Sequence, residues 1–160
     1  MTHSSESQPI LDVLADTVRS ERAAALRALH VLEYALAAPA PRRHRTWLHR
    51  VSVAIEALDT AIHAQLPTTD GSVRLLDEIA LTHPAHLTRV EALQQAFLDL
   101  SIATASIREQ VEADIDVDPN QIRERLSTLS QQFRTYQAEE ADLVYEITGR
   151  ELDDPETPHT

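Results

Sequence analysis

The sequence of 160 residues contains no cysteine and no lysine, only two glycines, and few aromatic side chains: one tryptophan, three tyrosines and two phenylalanines. Without cysteine there is no disulfide, no thiolate metal site and no thiol nucleophile, a composition that suits a reducing compartment, and a cytoplasmic protein is expected. All fourteen basic residues are arginines, which together with abundant alanine accords with a GC-rich genome. Because Gly71 and Gly149 are the only glycines, long stretches run without a breaker and favour helix. No apolar stretch approaches the roughly 20 residues that span a bilayer. The opening "MTHSSESQPI" has neither the basic region nor the apolar run of a signal peptide, so no membrane association is expected. Nucleic acid is also an unsuitable partner, since a formal charge of −12 opposes the clustered cations that phosphate binding needs. Enzyme signatures such as a glycine-rich phosphate loop or a serine elbow do not occur.

What is present is 42% hydrophobic content, enough for one domain with a genuine core. The apolar residues fall into helical stripes. A first helix is expected from about Pro9 to Ala38, stopped at Pro39 and Pro41. A second, from about Arg42 to Leu66, carries Leu48, Val51, Ile55, Leu58, Ile62 and Leu66 on its apolar face. A short helix over residues 72–81 leads to Thr82-His83-Pro84, where Thr82 or His83 is a candidate cap and Pro84 suits a first turn. The third long helix repeats apolar positions at spacings of 4 and 3: His86, Val90, Leu93, Phe97, Leu100, Thr104, Ile107 and Val111. The fourth does the same with Ile122, Leu126, Leu129, Phe133, Tyr136, Glu140, Leu143 and Ile147, and Gly149 supplies its C-terminal cap. Long amphipathic helices joined by short turns predict an all-α protein, an antiparallel up-down-up-down four-helix bundle with a short extra helix between helices two and three. Residues 8–149 would form the bundle, with 1–7 and the acidic tail 150–160 disordered.

Two positions on the last stripe are out of keeping with a core. Tyr136 and Glu140 stand where aliphatic residues are the rule. Counting residues from each turn at about 1.5 Å per residue puts Glu21, Phe97 and Tyr136 in one layer, with Glu140, Leu93, Val18 and residues 59–63 one turn away. An ionised carboxylate is too costly to bury alone, so Glu140 calls for a metal, an arginine or a proton; the nearest cation by this count is Arg22.

"YQAEEADLVYEI" near the C-terminus, preceded by "LEYALAAPAPRR", Trp47, "IHAQL" and the segment from "GSVRLLDEI" to "THPAHLTRVEAL", resembles the hemerythrin-like (HHE cation-binding) proteins, in particular a divergent bacterial branch. The likeness covers most of residues 20–148. It implies a four-helix bundle holding a non-haem di-iron centre on histidines and carboxylates, and handling of oxygen, nitric oxide or peroxide. Residue by residue, Glu140 matches the carboxylate of the family's His-x-x-x-Glu pattern, but Tyr136 stands at the histidine position. Phe97 stands where helix three is expected to deliver an imidazole. Phenylalanine offers no lone pair, and tyrosine binds ferric iron only as phenolate, so the family's dinuclear site cannot be assembled from these residues.

The histidines read mainly as surface groups. His63 shares a polar stripe with His49, Ser52, Glu56 and Asp59, and this stripe reads as the solvated face of helix two. Asp59-x-x-x-His63 nevertheless has ligand spacing, and the resemblance favours His63 as the ligand from that helix. His86 reads as a cap or core histidine, and His30 and His44 as surface residues. Arg42, Arg43, Arg45 and Arg50 cluster at a helix start and match, within the chain, the acidic run Glu109, Glu112, Asp114, Asp116 and Asp118.

Three functions remain open from sequence. In the first, the di-iron site is degenerate, no cofactor binds, and Tyr136, Glu140 and Phe97 form a polar remnant in the core of a binding or scaffold protein that is not an enzyme. A second keeps a reduced non-haem iron site on Glu140, His63, Glu21 and Tyr136 for sensing or binding oxygen, nitric oxide or peroxide. A third is a plain dimerisation module using apolar residues left off the seams, Leu26, Val53 and Leu98, giving a homodimer or a protein partner.

Overall fold

The 4-and-3 spacing from Val90 to Val111 does form one continuous helix, because every residue on that stripe is buried and nothing between them breaks the hydrogen-bond ladder. In the computed structural model, which describes residues 3–38, 44–64, 72–113, 118–149 and 152, all regular structure among the described residues is helical. The helices are α1 (His3–Ala37), α2 (His44–Ala64), α3 (Ser72–Thr82), α4 (Leu87–Ala113) and α5 (Pro119–Thr148), with a 3-10 turn at Pro84–His86. None of them is long and apolar enough to cross a membrane.

α1 packs against α2 and α5, and α4 packs against the same two helices, so the four long elements enclose one hydrophobic core. The short α3 lies against α1 and α4. α5 is held from both ends. Asp118 accepts from the amide of Asn120 at 3.0 Å with Pro119 in the first turn, and Gly149 ends the helix with a left-handed φ of 70° while its N–H donates to Tyr145 O. The end of α1 is closed by side chains from elsewhere: Trp47 Nε1 donates to Ala35 O at 2.9 Å, and Arg123 lies over the Trp47 ring while donating to Ala38 O.

Several boundaries differ from the sequence reading. α1 begins at His3 and runs through Pro9, so helix replaces part of the N-terminal segment expected to be disordered. His83 occupies the N-cap position of the 3-10 turn but does not cap with its side chain; its Nδ1 pairs with Thr82 Oγ1 at 2.8 Å. His86 is half-buried in that turn, before α4 begins, and is not part of the seam. Ile147 is likewise half-buried. α5 in turn buries a second row, Ser130, Gln137 and Val144, because it faces both α4 and α1. The expectations for Leu66, Arg42, Arg43, Asp114 and Asp116 lie outside the described residues; Arg45 and Glu112 line one cavity between α2 and α4, and Glu112 accepts from Arg108.

Candidate functional site

Tyr136 and Glu140 lie one helical turn apart on α5, so their side chains meet on the same face. The Tyr136 hydroxyl donates to Glu140 Oε2 at 2.9 Å. Glu140 is 2% exposed, and its other oxygen, Oε1, lies 3.8 Å from Nη1 of Arg22 on α1. The same Arg22 nitrogen donates to the backbone carbonyl of Gln137 at 2.8 Å, using the spare lone pair of a carbonyl inside α5. Arg22 is itself buried. Phe97 on α4 and Phe133 on α5 pack against the phenol, with ring centroids 5.7 Å and 6.5 Å away in tilted arrangements. Of the layer of Glu21, Phe97 and Tyr136 expected from counting residues, Phe97 and Tyr136 meet, and Glu140 a turn away faces Arg22.

Tyr136 also lines a cavity of about 420 Å³ between α4 and α5, with Asp99, Gln132 and Glu139 at its wall. A neighbouring hollow shares Thr128 and Gln132 with it and continues along the same helix pair.

The other candidate ligands are placed differently. Glu21 is half-buried on α1. The His63 side chain is 56% exposed on α2, and its Nδ1 lies 2.8 Å from the backbone oxygen of Asp59 and 3.3 Å from Asp59 Oδ1. Asp59 corrects the reading of that stripe as solvated: it is 5% exposed, and its Oδ2 accepts from Arg108 Nη1 on α4 at 2.6 Å. Arg108 is also bound by Glu112, and Glu112 first, then Asp59, raise its pKa above the ordinary guanidinium value. Among the described residues, no group of three or more histidine, cysteine, aspartate or glutamate side chains is placed to hold a metal ion.

Iron does not fit the buried cluster as built. A ferrous or ferric ion at Glu140 would have to displace the Tyr136 proton donor from Oε2 and approach a guanidinium already facing Oε1, and among the described residues no group of three or more histidine, cysteine, aspartate or glutamate side chains is placed to complete its coordination. What the cluster can do is hold α1 to α5 by a charge-assisted, hydrogen-bonded contact.

No protein-family model, curated protein or solved structure matches this chain.

The sequence reading missed the Arg22 contact with the Gln137 carbonyl, the burial of Asp59 and the burial of Leu152. Only the first had a usable signal. Arg22 was already the nearest cation, and a guanidinium has more donors than one carboxylate can accept.

Proposed function

We propose that this chain is a hemerythrin-like, antiparallel up-down-up-down four-helix bundle, with α3 as the short extra helix, whose di-iron position is degenerate, and that it works as a binding or scaffold protein. The observation that carries this reading is the Arg22 guanidinium facing Glu140: a positive charge already accompanies the carboxylate that a metal cation would use as a ligand. The aromatic replacements at Phe97 and Tyr136 support it, since they fill the same layer with ring carbon and a neutral donor. A cytoplasmic setting without nucleic-acid partners belongs to the same reading, on the strength of the cysteine-free composition and the charge of −12.

The deciding experiment is metal analysis of protein expressed in iron-rich medium, with an absorption spectrum of the same sample. The expected result is iron well below one per chain and no visible band. Two irons per chain with an oxo-bridge band, or a ferric-phenolate colour after reconstitution with ferrous iron in air, overturns the degenerate-site reading in favour of a retained iron site.

Self-association is favoured by a separate observation. Leu98 and Ile102 lie on successive turns of the outer face of α4 and are 51% and 60% exposed. Val53 is exposed on α2, whereas Leu26 is half-buried on α1. Light scattering over a concentration series tests it; a strictly monomeric chain that stays so at high concentration rejects the dimerisation module.

A further inference from the structure

Two hollows along the junction of α4 and α5 form one groove, since they share Thr128 and Gln132. Their volumes are about 420 Å³ and about 340 Å³, and both are lined by α4 and α5 alone. Along α5 the lining runs from Glu124 to Glu139, a length of about 22 Å at about 1.5 Å per residue, or about four helical turns. The lining has a helical period of its own. α4 contributes Ala96, Leu100, Ala103 and Ile107 at spacings of 4, 3 and 4, and α5 contributes Arg125, Leu129, Gln132, Tyr136 and Glu139 at 4, 3, 4 and 3. Two helices that turn such ridges outwards form the holes into which a third helix sets its side chains. Ala96 and Ala103 alternate with the larger Leu100 and Ile107, so a methyl group stands where a bulky side chain from outside can enter. Leu98 and Ile102, next in sequence to the lining residues Asp99 and Ala103, add exposed apolar surface on the outer face of α4.

Charge sets the sign of the partner. Asp99 on α4 and Glu139 on α5 stand at the wall of the larger hollow, and among the described residues no basic side chain lines it. At the other end Arg125 donates to Ser106 and Gln110 on α4 and ties the two helices together beside Glu124. We propose that the α4–α5 groove receives a helix of a partner protein, one with large apolar residues at spacings of 3 and 4 and with arginine or lysine where it meets Asp99 and Glu139. A second copy of this chain is a poorer occupant, since at a net charge of −12 it brings like charge to acidic walls.

The groove gives the binding-protein reading a partner class and rests on that part of the reading alone. Metal content decides the degenerate site, and peptide binding decides the groove. An iron-free chain that binds no peptide keeps the first and loses the second, and an iron-loaded chain that binds the peptide does the reverse.

The test uses the full chain and a fluorescein-labelled peptide of about 18 residues, or about five turns of helix, followed by anisotropy. The peptide carries leucine at spacings of 3 and 4, arginine at the flanking positions and alanine elsewhere. Saturable one-to-one binding is expected. Asp99→Arg/Glu139→Arg should weaken it at least about tenfold, by setting like charges against the arginines. Thr128→Trp, which puts an indole where the two hollows meet, should weaken it as much. Glu56→Arg/Glu91→Arg makes the same change of net charge at exposed positions outside the groove and should leave binding within about twofold. All variants are checked for native helix content by circular dichroism. No binding, equal binding of a peptide of the same composition in scrambled order, or equal weakening by the two charge variants overturns the proposal. So does a dimer of this chain that Thr128→Trp dissociates, because the occupant is then a second copy. A further measurement does not rely on lost binding. Because the chain has no cysteine, Gln131→Cys carries a single environment-sensitive dye at the edge of the larger hollow. Its emission is expected to shift to the blue when the peptide is added, while the same dye at Glu56→Cys stays unchanged; no shift, or equal shifts, count against the groove.

Discussion

The guanidinium of Arg22 and the carboxylate of Glu140 face each other across 3.8 Å inside the protein, one on α1 and the other on α5, and both are almost fully buried. Such a pair is weak evidence of net stability, because two desolvated charges repay their loss of hydration only when the geometry and the extra hydrogen bonds are good. The consequence of breaking it from one side is much clearer.

Glu140→Ala removes the carboxylate that faces the buried Arg22 guanidinium, and is expected to destabilise by about 3–5 kcal/mol. The double variant Arg22→Met/Glu140→Leu removes both charges and should recover most of that loss. Urea denaturation of the wild type, Arg22→Met, Glu140→Leu and the double variant measures the coupling. Additive losses would mean that the two side chains act independently.

Tyr136→Phe keeps the ring against Phe97 and removes only the hydroxyl that Glu140 Oε2 accepts from. A hydrogen bond to a charged group is worth about 2 kcal/mol, so a loss near that size is expected, with helix content unchanged. The same substitution should vanish as an effect in the Glu140→Leu background. A full loss there would show that the phenol bonds elsewhere.

The parts of this arrangement that could be read in advance are those set by position along one helix. Tyr136 and Glu140 are four residues apart on a stripe of otherwise apolar residues, so both their contact and their burial follow from helical geometry. Gly149 was legible for the same reason, since it stands directly after the last periodic residues. Asp59 was not. It sits at the border between the apolar face and the polar stripe of α2, and what buries it is Arg108, 49 residues further on. Leu152 was missed similarly: its neighbours in sequence are acidic, and it lines a cavity with residues of α1. Ser130 and Gln137 belong to a second buried row that exists only because α5 meets two helices rather than one.

Gly149→Ala tests the cap of α5 in isolation. The residue holds φ at 70°, and an added Cβ would have nothing within 4 Å, so the cost is that of the left-handed backbone alone. That cost is about 1 kcal/mol. A larger loss in thermal unfolding would mean that Gly149 contributes more to the end of α5 than its backbone conformation.

Asp59 and Arg108 should respond unequally to substitution, although they share one 2.6 Å contact. Asp59 is buried, whereas the Arg108 side chain is 41% exposed and keeps Glu112 as a second partner. Arg108→Ala removes the guanidinium from a buried carboxylate that otherwise has the His63 ring beside its second oxygen. Asp59→Leu strands nothing, because the guanidinium can turn to solvent and to Glu112. The urea midpoint is therefore expected to fall further for Arg108→Ala than for Asp59→Leu. The raised pKa of Arg108 keeps its charge, and its share of the stability, in place through the neutral range; that share is lost only in strong alkali, as pH rises through the folded-state value. If the two substitutions cost the same at neutral pH, the burial of Asp59 is not what makes this contact matter.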